Sequence, residues 1–253
     1  MKPLKPLKSM SEITGSNITT TATLRPFGCE LTTLEQADGS AIWKSGGTSV
    51  LASVHGPAAP RQASLELPQA QVSFVVAGRT SDIISTDQEE WEPLLRRVLE
   101  RSIQVQQYPR TVIQIVCHVL SNDGSVLAAC LHAAVATLMD AGIALRQLPT
   151  AVAIRVTCQS EHDYHLSLDP DMEKEQDTDR SLQDTPSSLI CLIVAQASDS
   201  EKLAVLAAHC VGGRAPVAVW PTAVGLAERA RPALTNFMKM ALQQKMQTRN
   251  KDD

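Results

Sequence analysis

Asn122-Asp123-Gly124-Ser125-Val126-Leu127-Ala128 joins two apolar runs of different periodicity, and the fold is read outward from it. Before it, residues 111–120 are strongly apolar and rich in β-branched side chains, a buried strand set off from the preceding helix by Tyr108-Pro109. After it, residues 125–141 are dense in alanine and leucine. Leu127, Leu131, Ala134, Leu138 and Ala141 fall on one face of a helix there, with Gly142 as its C-terminal cap. Small side chains let neighbours approach closely, so this helix is expected to pack on several sides. The Asn-Asp-Gly turn between strand and helix supplies the sharp reversal.

Toward the N-terminus, β-type runs at residues 24–34, 40–45 and 48–55 are separated by Asp38-Gly39 and Gly46-Gly47, which predicts an antiparallel meander with two tight turns. A proline-rich stretch, residues 56–68, leads to a strand at 71–77 in which Val72, Phe74 and Val76 share a face. A helix is predicted from Thr86 or Asp87. Glu89, Glu90 and Glu92 lie near its positive end, Trp91, Leu94, Leu95, Val98, Ser102 and Val105 form its buried stripe, and Arg96, Arg97 and Arg101 lie off that stripe. Toward the C-terminus, strands are expected at 151–157, 164–168 and 189–195, with a polar, acidic insertion at 169–188. A final helix over 221–247 turns Ala227, Leu234, Phe237, Met238 and Ala241 inward, and Pro232 should kink or restart it. The expected organisation is a disordered tail at 1–22, one α+β domain at 23–248 and a short tail at 249–253.

Composition narrows the function. A chain of 253 residues with 43% hydrophobic and 20% charged residues can build one sizeable core. Aromatics are only 3%, so contact with RNA cannot rest mainly on base stacking, and a net charge of −4 argues against a free-standing nucleic-acid binder. The 6 cysteines are scattered with no C-x-x-C spacing, and nothing nearby completes Cys130 and His132 as a zinc site, so reduced, buried thiols and no metal are expected. No apolar run is long enough to span a membrane, and no signal peptide is evident. Phosphate-binding glycine loops and the G-x-S-x-G elbow are absent, so no nucleotide cofactor is expected.

Several strings, at matching spacings over residues 24 to 170, together resemble the RNase PH family: Asp38-Gly39-Ser40-Ala41; Gly47-Thr48-Ser49-Val50-Leu51-Ala52-Ser53-Val54-His55-Gly56-Pro57; the Asn122 to Ala128 segment; Ala133-Ala134; and Asp140-Ala141-Gly142-Ile143. Within the family the chain is most similar to ring subunits of the eukaryotic RNA exosome. Leu24-Arg25-Pro26-Phe27-Gly28-Cys29-Glu30, Pro109-Arg110-Thr111 and Ala128-Ala129-Cys130-Leu131-His132-Ala133-Ala134 match such subunits, with His132 where they usually carry asparagine. The resemblance implies an RNase PH-like fold, related to the second domain of ribosomal protein S5.

Active members of the family attack the terminal phosphodiester of RNA with inorganic phosphate, held by a hydroxyl and an arginine at a helix N-terminus, near two acids six residues apart. By resemblance the hydroxyl is Ser125 and the acids are Asp169 and Glu175, but the arginine position is Val126, which cannot pair with an anion. The basic approach loop of active members is replaced by Asp87-Gln88-Glu89-Glu90-Trp91-Glu92-Pro93. Ser125, Asp169 and Glu175 are therefore read as relics, His55 and His132 as structural, and Arg96, Arg97 and Arg101 as the RNA-contact candidates. The implied role is a non-catalytic subunit of a hexameric ring of RNase PH-like chains. Its implied partners are those chains, RNA-binding cap subunits, a catalytic 3′–5′ exonuclease and single-stranded RNA, in nucleus, nucleolus and cytoplasm. The alternatives are an active phosphorolytic exoribonuclease, with an arginine supplied across an interface, and a homodimeric nuclease outside the exosome.

Overall fold

The computed structural model describes residues 17–60, 70–78, 85–160, 163–171, 187–196, 203–212 and 215–252. Two sheets of five strands each form around one helix. The first sheet contains β2 (Phe27–Leu31), β3 (Gly39–Ser45), β4 (Thr48–Ala58), β5 (Gln71–Gly78) and β6 (Val112–Ser121), in the order β2-β3-β4-β6-β5. Its pairs are antiparallel except β5 with β6, the two strands joined by the crossover helix α1 (Ser85–Ser102). The second sheet contains β1 (Asn17–Thr21), β7 (Thr150–Ser160), β8 (Asp163–Leu168), β9 (Ser187–Gln196) and β10 (Leu203–Gly212), in the order β1-β8-β7-β9-β10.

Helix α2 (Val126–Asp140) packs on β2, β3, β4 and β6 of one sheet and on β7 and β9 of the other. It has no solvent face: every residue from Val126 to Leu138 is buried. The alanines and Cys130 that make its sequence so uniform let two sheets close on it from different sides. Helix α3 (Trp220–Asp252) lies over β2, β7 and β9, burying Ala227, Leu234 and Met238. One contiguous apolar cluster runs through both sheets and all three of these helices.

Several expectations need correcting. Asp38-Gly39 is not a tight hairpin turn: residues 32–38 make the connection, with Thr32 at φ +57°, and Gly39 opens β3. Glycine is needed there for another reason, since a Cβ would lie 2.6 Å from the Ala141 backbone nitrogen and 2.7 Å from the Thr137 carbonyl oxygen at the end of α2. Gly46-Gly47, by contrast, is the expected turn, with Gly46 at φ +56°. Asn17–Thr21, expected in a tail, is a strand paired in parallel with β8. The last helix extends to Asp252 through the expected C-terminal tail, and Pro232 does not restart it, because Ala230 before it and Leu234 after it are held in the same core. The sequence reading assigns no element to Leu203–Gly212, which is an edge strand. Residues 61–69 of the proline-rich stretch and 172–186 of the acidic insertion lie outside the described residues.

The Gly39 contact is a point of zero tolerance, because the neighbouring atoms are helix backbone rather than a flexible side chain. Gly39→Ala is expected to destabilise the protein by about 2 kcal/mol, read as a lowered urea midpoint at unchanged slope.

Candidate functional site

The Asp123-Gly124 turn is held by polar contacts from three directions. Thr48, at the start of β4, donates its hydroxyl to the Gly124 carbonyl at 2.6 Å and accepts the Asp123 N–H at 3.0 Å. The Gly47 N–H donates to Asp123 Oδ2 at 3.1 Å. From the lead-in to β2, Arg25 donates through Nη1 to the Asp123 carbonyl at 2.6 Å and through Nη2 to the Gly124 carbonyl at 3.2 Å. The turn therefore delivers Ser125 to the start of α2 in a left-handed conformation, φ +56°.

Arg25 also reaches Asp169, which follows β8. Nη2 lies 2.8 Å from Oδ1, and the Arg25 backbone N–H donates to Oδ2 at 3.1 Å. Both side chains are largely buried, 15% and 11% exposed, so the pair is weakly screened and each charge depends on the other. Ser45 approaches the same carboxylate at 3.4 Å. One guanidinium thus ties together the entry to β2, the turn before α2 and the end of β8.

The structure brings Ser125 and Asp169 to one small cavity of about 20 Å³, room for about one water. The Ser125 hydroxyl donates to the Pro170 carbonyl at 3.1 Å and makes no cap bond to its own helix. Val126 is 5% exposed and belongs to the core. Glu175 lies outside the described residues. The three candidate RNA contacts do not line this cavity; they are exposed on α1, where Arg96 pairs with Glu100 at 3.6 Å. Glu92, in the acidic stretch before them, accepts the Val76 N–H at 2.9 Å and so also serves the fold.

His132 is the other titratable group at the cavity. Its Nε2 accepts the Ala151 N–H at 3.1 Å, which puts the ring proton of the neutral form on Nδ1. The ring lies 4.8 Å from Trp43, itself in contact with Phe27 and Phe237. A chain poor in aromatics gathers three of them here, where β2, β3, α2 and α3 meet. Burial lowers the His132 pKa to about 4, against a smaller opposing pull from Asp169. Sequence reasoning identified His132 as structural but missed Arg25 as the organiser of the site, since only its place in a family string marked it.

Two sheets around an all-buried helix, with this turn at its head, are an RNase PH-like fold. Residues 23–144 match the RNase PH family model, described as "3′ exoribonuclease family, domain 1". The chain is similar to a rice protein (Oryza sativa subsp. japonica) named "Exosome complex exonuclease RRP46 homolog", at 35% identity over 153 residues, 60% of this chain and 62% of the relative. The Arabidopsis thaliana protein of the same name is 32% identical, and there too the chain spans 62% of the relative's length. The crystal structure of rice Rrp46 superposes with a TM-score of 0.72 at 26% identity, over 87% of this chain and 96% of that one.

Because His132 is neutral when buried and titrates near 6.5 when unfolded, the unfolded chain takes up a proton that the native chain refuses between those values. Stability from this group is complete above the unfolded pKa and is lost as pH falls toward about 4. Urea titrations between about pH 7 and pH 5 should show the parent losing more stability than His132→Asn, by about 2 kcal/mol; equal losses would remove His132 from the acid response.

Proposed function

We propose that this chain is a non-catalytic, RNase PH-like subunit of an exosome-type ring, which helps form the channel for single-stranded RNA and docks against other subunits of the same fold. The observation that carries this reading is the state of the two groups that phosphorolysis needs. The hydroxyl of Ser125 is engaged by Pro170, Asp169 is clasped by Arg25, and the cavity that both residues line is small. Val126 replaces the phosphate arginine with a core side chain. Similarity to proteins named as exosome subunits supports the ring assignment. Cap subunits and a separate 3′–5′ exonuclease complete the proposed assembly, in nucleus, nucleolus and cytoplasm.

An active phosphorolytic enzyme is the second reading, favoured by the word "exonuclease" in the names of both plant relatives. It needs Arg25 to release Asp169 and a cation from a partner to replace the missing arginine.

The two readings part in one assay. The purified chain, alone and in a reconstituted ring whose hydrolytic subunit is inactivated, is incubated with labelled single-stranded RNA and inorganic phosphate. No phosphate-dependent release of nucleoside diphosphate is expected in either state. Release that disappears in Asp169→Asn would make the chain an enzyme.

A further inference from the structure

The end of α2 remote from the Ser125 turn has a charge pattern of its own. Helix α2 runs 15 residues, about 22 Å, from that turn to the segment 141–149. There the chain is laced to residues 102–111, between α1 and β6. The Gln104 N–H donates to the Ala144 carbonyl at 2.9 Å, the Arg146 N–H to the Ser102 carbonyl at 2.7 Å, and the Ala144 N–H to the Tyr108 hydroxyl at 2.9 Å. These bonds gather Arg101, Arg110 and Arg146, all exposed, at one end of the fold. No acid stands between Arg101 and Ser121 or between Ala141 and Ser160. The carboxylates just outside those segments are engaged, Glu100 by Arg96 and the 2% exposed Asp140 by Lys245. In a chain of net charge −4, this end is a local cationic surface.

Arg110 is held there against its backbone preference. It follows Pro109 in a turn closed by the Thr111 hydroxyl, which donates to the Tyr108 carbonyl at 2.8 Å. Its φ is +57°, the left-handed region that favours glycine or asparagine. Among the described residues three other non-glycine positions share such a backbone, and each has a bonded side chain: Thr32 to Asp140, Ser125 to Pro170 and Asp169 to Arg25. The Arg110 guanidinium has no hydrogen-bond or ion-pair partner among the described residues. A strained position filled by a long cation that binds nothing within the chain points to a ligand outside it.

We propose that Arg101, Arg110 and Arg146 form a docking surface for an acidic segment of a partner protein. Guanidinium forks pair with carboxylates in a defined geometry, and three of them on separate segments suit side chains spaced along an extended acidic peptide. RNA fits less well. Among the described residues no exposed ring stands beside the arginines for a base to stack on, since Tyr108 is half-buried with its hydroxyl on Ala144. A chain of net negative charge also repels a long polyanion that must run beyond the patch, whereas a short acidic segment meets only the cations. The surface lies at the opposite end of α2 from Ser125, so it stands whether or not the chain is catalytic.

The test is fluorescence polarisation of a labelled oligoglutamate peptide titrated with the full chain at low and at physiological ionic strength, beside a labelled oligouridylate of equal charge. Saturable binding of the peptide is expected, tighter than that of the oligouridylate and weakened by salt. Arg110→Gly and Arg146→Gln should each weaken it about threefold. Lys44→Gln should not, because Lys44 pairs through Ser49 with Ser121, the end of β6 remote from Arg110. Arg110→Gly should also raise the urea midpoint, since glycine relieves the left-handed backbone. A lowered midpoint would make Arg110 a structural residue and overturn the proposal. So would the absence of saturable peptide binding, or binding that survives both arginine changes. Preference for the oligouridylate would overturn it as well and assign the surface to RNA.

Discussion

Helix α2 is the constraint on which the rest depends. A helix apolar around its whole circumference cannot meet water on any side, so both sheets and α3 must close on it before it is stable. Its small residues bring backbones close, and the closeness propagates. Gly39 has no room for a methyl group because the end of α2 lies against it. Asp140, the last residue of the helix, is nearly buried and is satisfied by the Ser40 N–H, the Thr32 hydroxyl and Lys245 of α3. Two regions far apart in sequence, residues 32–40 and α3, are thus referred to one carboxylate.

The head of α2 is fixed by the same logic with opposite chemistry. Its approach is a polar turn between two apolar elements, and the carbonyls of Asp123 and Gly124 need donors. Thr48 and Arg25 supply them. Arg25 carries a charge into a largely buried place and therefore requires Asp169 there. The acid is required by the clasp independently of any reaction, and this sets how far its presence can be used as a sign of catalysis.

What could be read from the sequence follows the range of the interactions. The strand, the turn and the helix around Asp123 are local and appear at nearly their predicted places, as do β4 and the Gly46-Gly47 turn. The misreadings are nonlocal. Asn17–Thr21 is polar enough to pass for a tail, and its β-branched residues become a strand only because β8 lies alongside. Asp38-Gly39 has the composition of a hairpin turn, but contact with a helix about a hundred residues later decides its geometry. In the site, Ser125, Val126 and Asp169 could be named from family strings. Arg25 could not be assigned a role, because it acts across 144 residues of chain.

Two openings flank Asp169, one of about 20 Å³ on the Ser125 side and one of about 400 Å³ on the other. On the Ser125 side the Ser125 hydroxyl and the Asp169 carboxylate are satisfied within the protein, while Trp43 Nε1, on a ring that lines the same cavity, is buried without a hydrogen-bond partner. On the other side Arg155 lines the open volume, but its Nε, like that of Arg25, is shielded from solvent. Asp169 lines both openings and Arg25 the larger, and the ion pair between them compensates each charge where it is largely buried. A charged residue at a family position therefore says little about chemistry until its partners in the closed fold are known, and for Asp169 those partners are the guanidinium and backbone N–H of Arg25.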